Sequence, residues 1–256
     1  QKFIYFICLV SAMGGLLFGY DWVVIGSAKP FYELFFGISD SPVMQGIAMS
    51  TALVGCLIGA MVAGAMADKY GRKPLLIGAA VLFTVSAVAT GAFDDFTIFN
   101  IARFIGGVGI GIASALSPMY IAEVAPTEVR GRLVSLNQMT IVLGILGAQI
   151  ANWQIADPLP EAISAMQVSG IAVQEAMADA FILESWNGQM GWRWMFWAEA
   201  LPAALFLVLA FFIPESPRYM AMRGQNKDAL ATLSMIGGEE YAQGELTVIN
   251  ASCAAE

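Results

Sequence analysis

Long apolar runs alternate with short polar segments along this chain. Each of six runs is close to the roughly 20 residues that a helix needs to cross the hydrocarbon core of a bilayer. The first run is too long to be the apolar part of a signal peptide. The pattern predicts an all-α membrane protein, a bundle of six transmembrane helices at about residues 3–28, 46–67, 74–92, 98–121, 131–153 and 192–213.

Composition agrees with a membrane-embedded chain. Hydrophobic residues make up 58% of the sequence and charged residues 12%, with a mean hydropathy of +0.70. Soluble domains carry about 25% charged residues. The net charge of -8 argues against a nucleic-acid partner, and the absence of His removes the commonest metal ligand. We therefore expect no cofactor, no bound metal and no enzymatic activity.

Basic residues indicate how the bundle is oriented. Of the twelve basic residues, all but Lys29, Arg103 and Arg193 fall in segments on one side, which leaves nine there. The positive-inside rule then places both termini in the cytoplasm of a cell whose inner membrane the bundle crosses. Segment 154–191 is acidic, lies outside and contains a stretch that favours a short amphipathic helix. Segment 214–256 is predicted to be a cytoplasmic helical linker.

Three ionisable residues lie within the predicted spans: Asp21, Arg103 and Glu199. At 1.5 Å per residue, each lies about 8 to 11 Å below the outer end of its helix. Because an isolated charge at that depth is costly, the three are expected to pair inside the bundle or in a wet cavity. The pairing is either a static salt bridge or a switch in which Asp21 takes up a proton when Arg103 turns to Glu199.

Two further residues are candidates for substrate contact. Gln138 lies near the middle of the fifth span, and its amide offers donors and an acceptor to a sugar hydroxyl. Phe18 offers an apolar wall for the face of a pyranose ring. An interhelical hydrogen bond for Gln138 and ordinary packing for Phe18 stay open as alternatives.

Small residues recur every four positions in several spans, as at Gly107, Gly111 and Ala115. This spacing places them on one helix face, where they allow two backbones to approach closely. We expect them to mark helix contacts. They do not form a nucleotide-binding loop, because no complete G-x-G-x-x-G occurs and no strand precedes them.

Six sequence strings follow one another along the chain: GGLLFGYD (14–21), GAMADKYGRK (64–73), RFIGGVGIGIASALSPMYIAEVAP (103–126), RGRLVSLNQ (130–138), GWRWMF (191–196) and PESPRYM (214–220). Together they resemble the N-terminal half of a sugar porter of the major facilitator superfamily. The likeness is greatest to bacterial proton-coupled symporters of xylose and related sugars. It implies a 3+3 inverted repeat of helices and transport of a monosaccharide, a pentose or hexose, with protons by alternating access.

The resemblance also implies roles for individual residues. Asp21 matches the proton-coupling aspartate, Arg103 its partner and Glu199 the acid that alternately engages that arginine. Gln138 matches a sugar-binding glutamine, and Phe18 an aromatic lining the site. Seven residues at the predicted inner ends match the inner gate of the family: Asp68, Gly71, Arg72, Glu123, Arg130, Glu215 and Arg218. Without the resemblance, the charged ones could equally be solvated loop residues.

Two positions depart from the family pattern. Ile145 stands where the xylose symporter has a second glutamine, and Trp22 stands where Thr is common. The sugar is therefore left open.

No second basic G-R-[KR] loop and no seventh span occur in the sequence. We expect a C-terminal six-helix half to be the missing partner, beside the sugar, protons and the lipid bilayer. A facilitative sugar or polyol uniporter and a non-transporting membrane sugar sensor are the alternative functions.

Overall fold

The computed structural model describes residues 2–253, and within them every regular element is helical. In this described part of the chain, six helices are long and apolar enough to cross a membrane. In chain order the helices are α1 (Lys2–Phe35), α2 (Pro42–Tyr70), α3 (Arg72–Ala92), α4 (Phe96–Val124), α5 (Arg130–Ile155), α6 (Glu161–Gln167), α7 (Ala172–Glu184), α8 (Trp192–Ala210), α9 (Pro217–Met222), α10 (Asn226–Gly237) and α11 (Glu239–Cys253). A π-helical turn, Asn187–Gly191, leads into α8. We call the end of the bundle where α1 and α5 finish the outer end, and the opposite end the inner end.

Capping residues begin the helices where the sequence provides them. The Ser41 hydroxyl accepts a hydrogen bond from the Met44 N–H at 3.4 Å, and Pro42 occupies the first helical position of α2. The Asp95 carboxylate accepts the Ile98 N–H at 2.9 Å and so caps α4. These caps define the outer ends of the two helices that later enclose the functional cavity.

Glycines bring the helix backbones together in pairs, as their spacing predicts. Gly59 of α2 lies so close to the Val108 carbonyl of α4 that a Cβ would overlap it. Gly19 of α1 stands in the same relation to Ile141 of α5. Gly64, one turn beyond Gly59, faces open space. The bundle is thus built from two close pairs, α2 with α4 and α1 with α5, with α3 and α8 packed beside them.

Two elements differ from the sequence pattern. Helix α1 runs to Phe35, seven residues beyond the predicted apolar run, and its added turns bury Tyr32 and pack Phe35 against Trp192. Segment 154–191 contains two helices, α6 and α7, rather than one. They are separated at Gly170, whose φ of +70° favours glycine.

Arg193 joins the outer ends of α3 and α8. Its guanidinium donates to the Gly91 carbonyl at 2.9 Å and to the Asp94 carboxylate at 2.5 Å. It also stacks against Trp192 and Phe35, whose ring centroids lie 4.5 and 4.7 Å away. The outer end is therefore held by a buried cation rather than by apolar packing alone.

Candidate functional site

A cavity of about 320 Å³ opens between α1, α2 and α4. Its wall is mostly apolar and includes a few polar side chains, a composition typical of small-molecule sites. The lining residues are Phe18, Asp21, Trp22, Ile25, Gly26, Met49, Ser50, Ala52, Leu53, Cys56, Arg103 and Ile110.

Asp21 and Arg103 form a buried ion pair at this cavity. Both nitrogens at the tip of the Arg103 guanidinium donate to the Asp21 carboxylate, one to each oxygen, and the Nη2–Oδ2 distance is 3.0 Å. The Arg103 Cζ also lies 5.4 Å from the centre of the Phe196 ring. This two-pronged geometry is the strong form of an ion pair. The structure thus places together two of the three charges that the sequence locates at one depth.

Glu199 completes the group of charges. It is buried on α8 and interacts electrostatically with both Asp21 and Arg103. Within the described residues, its Oε1 and the Arg103 Nε have no hydrogen-bond partner. In this arrangement the arginine therefore holds Asp21, while Glu199 shares a side-chain hydrogen bond with Asp21 and, among the described residues, keeps one carboxyl oxygen without a partner.

The two predicted sugar-contact residues differ in position. Phe18 lines the cavity, one turn before Trp22, which is exposed on the same wall. Gln138 is exposed on α5 and is not among the residues that line this cavity. Phe18 and Trp22 therefore give the cavity wall an aromatic part, and Gln138 lies outside the cavity lining.

A second charged cluster lies at the inner ends of α2, α3 and α4. The Arg72 guanidinium donates to both oxygens of Glu123, at 3.0 and 2.9 Å, and to the Ala67 carbonyl at 3.0 Å. Asp68 lies 3.2 Å from the same guanidinium. Arg72 is buried while Asp68 is exposed, so Glu123 is its principal partner.

Glu215 links this cluster to the chain that follows α8. Its carboxylate accepts the backbone N–H groups of Arg72, Lys73 and Ser216, at 2.9, 3.2 and 2.8 Å. Gly71 packs against the same carboxylate with a φ of +99°, so that a side chain there would be strained and would collide with Glu215. The residues Gly71, Arg72, Glu123 and Glu215 therefore form one unit.

The two remaining predicted gate residues lie beside this unit. Arg130 and Arg218 line an inner groove together with Glu123 and Glu245. The Arg130 Nε donates to the Ala125 carbonyl at 3.3 Å. Helices α9 and α11 therefore lie next to the inner ends of α4 and α5. A movement of those inner ends would change the contacts in this groove.

Asn137 is a polar residue that the sequence reasoning missed. It precedes Gln138 on α5 but, about 100° around the helix, it is turned toward α1, where it packs against Gly15. Its Oδ1 has no hydrogen-bond partner in the described part of the chain. Thr140, one turn farther, donates to the Ala12 carbonyl at 2.8 Å. In the sequence, the only indication of this contact is Gly15 on α1. The sequence does not show how α5 is rotated toward it.

Comparison with known proteins places this arrangement in a family. The sequence model of the family described as "Sugar (and other) transporter" matches residues 7–256. The chain belongs to this family. Among the related sugar transporters, the glucose transport protein of Synechocystis sp. is 42% identical over 240 residues, which cover 93% of this chain and 46% of that protein.

Two further comparisons define which part of a transporter this is. The D-xylose-proton symporter of Escherichia coli K12 is 38% identical over 266 residues, covering 94% of this chain and 50% of that protein. The structure of the proton:xylose symporter XylE bound to 6-bromo-6-deoxy-D-glucose superposes with a TM-score of 0.84 and 35% identity, covering 99% of this chain and 54% of that one. The chain is a multi-pass membrane protein with the fold of the N-terminal half of a major facilitator. It spans about half the length of the relatives it matches.

Proposed function

We propose that the chain forms the N-terminal half of a proton-coupled transporter of a monosaccharide, a xylose-like pentose or a hexose, that works by alternating access. The observation that carries the proposal is the buried Asp21–Arg103 pair beside an aromatic-walled cavity. A titratable carboxylate paired inside a membrane marks an ion or proton pathway more often than a structural contact. Relatives named as proton symporters of xylose and arabinose support the same reading.

The balance of charge around Arg103 suggests how coupling works. Asp21 and Glu199 bring two carboxylates to one guanidinium in a site that is almost closed to water. An uncompensated charge at membrane depth costs about 2.5 to 3.5 kcal/mol on insertion scales. In the proposal Glu199 therefore holds a proton while Asp21 binds Arg103, and Arg103 turns to Glu199 when Asp21 takes up the proton instead.

The inner cluster is proposed to be the gate on the cytoplasmic side. Arg72 ties α3 to α4 through Glu123, and Glu215 ties the start of α3 to the chain after α8. Such contacts stabilise one of two packed arrangements and are released in the other. With the inner cluster on the cytoplasmic side, both described ends of the chain lie in the cytoplasm and the bundle crosses the inner membrane.

Uptake in cells tests the proposal directly. The chain is co-expressed with the second half of the transporter in cells unable to take up labelled xylose, glucose or arabinose, with and without a protonophore. Accumulation that the protonophore abolishes is expected. Equilibration without accumulation would instead indicate a facilitator, and sugar binding with no uptake would indicate a sensor.

Asp21→Asn tests the coupling residue itself. Asn keeps the size and a hydrogen bond to Arg103 but cannot gain or lose the proton, so uphill uptake should be lost while sugar exchange continues. The matched control is Asp40→Asn, at an exposed aspartate outside the spanning helices. Unchanged uphill uptake by the Asp21 variant would refute the proposed role.

A further inference from the structure

Helices α1 and α8 each contain a proline in their interior, Pro30 and Pro202. Proline has no backbone N–H, so the carbonyl four residues earlier loses its donor in the helix, and the proline ring also presses against that carbonyl. In a membrane, a carbonyl freed in this way has to find another donor. The two prolines therefore free one acceptor each, the carbonyls of Gly26 and Ala198.

The two freed carbonyls differ in where they lie. Gly26 lines the cavity between α1, α2 and α4, and Ala198 does not. Glycine has no side chain, so the atoms that Gly26 gives to the cavity wall are backbone atoms. Gly26 is exposed, and a Cβ at its position would meet no heavy atom within 4 Å. In the described part of the chain no side chain donates to its carbonyl, which is thus open to a molecule in the cavity.

Gly26 continues the aromatic part of the cavity wall. Phe18, Trp22 and Gly26 follow one another at four-residue intervals, which keeps them on one side of α1. Gly26 also lies five residues beyond Asp21, about 7.5 Å along the helix axis, which is close to the size of a monosaccharide. A sugar ring has an apolar C–H face and an edge of hydroxyl groups. An aromatic side chain next to a hydrogen-bond acceptor matches both.

We propose that the Gly26 carbonyl, freed by Pro30, accepts a hydrogen bond from one hydroxyl group of the transported monosaccharide while the sugar ring packs against Trp22. The inference rests on the transport function proposed above and adds a backbone group to its sugar site. The glycine and the proline then have one explanation. The missing side chain at Gly26 gives the sugar access to the carbonyl, and the missing N–H at Pro30 leaves the carbonyl unpaired within the helix.

Pro30→Ala tests the inference without changing any residue that lines the cavity. Alanine supplies the missing N–H, so the helix can bond the Gly26 carbonyl and withdraw it from the sugar. The variant is expected to fold, because alanine is the best helix former and proline the worst. The matched control is Pro202→Ala, which makes the same change at the Ala198 carbonyl, away from the cavity.

Sugar affinity is measured by competition against a labelled sugar, with the chain assembled with the second half of the transporter. The sugar is whichever of xylose, glucose and arabinose the wild type binds, and the competitors are its deoxy derivatives, each lacking one hydroxyl group. Pro30→Ala should bind the complete sugar about 2- to 12-fold more weakly than the wild type, the effect of one hydrogen bond. One deoxy sugar should bind Pro30→Ala as well as it binds the wild type, because it lacks the hydroxyl that donates to Gly26.

Three results would overturn the inference. The first is equal affinity of the wild type and Pro30→Ala for the complete sugar. The second is a loss of the same size for the complete sugar and for every deoxy sugar, which would indicate a change in the shape of α1. The third is an equal loss in Pro202→Ala. A wild type that binds none of the sugars would instead overturn the proposed transport function, and this inference with it.

Discussion

Arg103→Met should destabilise the chain strongly, and Asp21→Asn should recover much of the loss. Arg103 is buried and holds both oxygens of Asp21. Met fills a similar volume but leaves the Asp21 carboxylate in the bundle with no cation, next to Glu199. Most of the destabilisation comes from leaving the buried Asp21 charge without a partner, and less comes from losing the attraction between the two charges.

The magnitude follows from the burial of the pair. Removing one partner of a buried ion pair costs about 3 to 5 kcal/mol. For a chain of this size, each kcal/mol shifts the midpoint of thermal unfolding by about 2 to 4 °C, so a drop of about 6 to 20 °C is expected. In the double variant the charge is gone, and a well-packed neutral pair is often as stable as the ion pair.

Thermal unfolding in detergent of the wild type, both single variants and the double variant gives the coupling energy. Arg132→Met, at an exposed position, is the control and should change stability by no more than about 0.5 kcal/mol. We expect the double variant to be more stable than Arg103→Met alone. If the two losses simply add, the pair is not energetically coupled and the reasoning from burial is refuted.

Three other substitutions test the packing, the inner cluster and helix α7. Gly59→Ala should cost about 1 to 3 kcal/mol in thermal unfolding because its methyl group overlaps a backbone carbonyl, whereas Gly64→Ala in the same helix faces open space and should cost nothing; equal losses would contradict close packing. Arg72→Lys should speed hydrogen exchange at the inner ends of α2 and α3, since Lys cannot make the two-pronged contact, while Lys69→Arg nearby should not. Asp179→Asn should raise the unfolding temperature at neutral pH. Burial, and then the charges of Glu175 and Asp40, raise the pKa of Asp179, which means that the folded chain disfavours the ionised carboxylate. The gain in stability should therefore be complete above the folded-state pKa and vanish below the unfolded-state pKa. A gain in stability that persists in acid would contradict this cause.

Much of the helical fold can be predicted from the sequence, because in a membrane the length of an apolar run and the spacing of small residues act locally. Gly59 and Gly19 allow close approach for reasons visible in their own helices. The ends of helices beyond the apolar runs cannot be predicted in this way. The last turns of α1, up to Phe35, are held by packing against α8, and α6 is separated from α7 by the conformation of one glycine. Neither feature can be read from the hydropathy of the local sequence.

The candidate site is predictable in depth but not in rotation. Counting residues places Asp21, Arg103 and Glu199 at one level, since depth follows from helix rise. Whether Asp21 or Glu199 pairs with Arg103 depends on how α1, α4 and α8 are rotated against one another. That rotation is determined by the packing of the helices, which the sequence does not show. The same limit separates Asn137, turned toward α1, from the exposed Gln138 beside it.

The chemistry of the cavity predicts that this chain alone binds sugar poorly. A monosaccharide presents several hydroxyl groups, and each needs a hydrogen-bond partner when it leaves water. In the cavity wall, Asp21 and Arg103 are engaged with each other, which leaves Ser50 and the Trp22 indole as the free polar side chains of any strength. In the proposed transporter, the Gly26 carbonyl is one further partner, and the remaining hydrogen-bond partners for the sugar come from the second half.

Trp22 reports on this prediction, because it lies exposed in the cavity wall. Xylose, glucose or arabinose added to the purified chain should leave its tryptophan fluorescence unchanged, while the chain assembled with the second half should respond. Trp22→Phe, which keeps an aromatic wall, should remove the response and so assign the signal. Saturable binding by the chain alone would contradict the argument and place sugar recognition within these six helices.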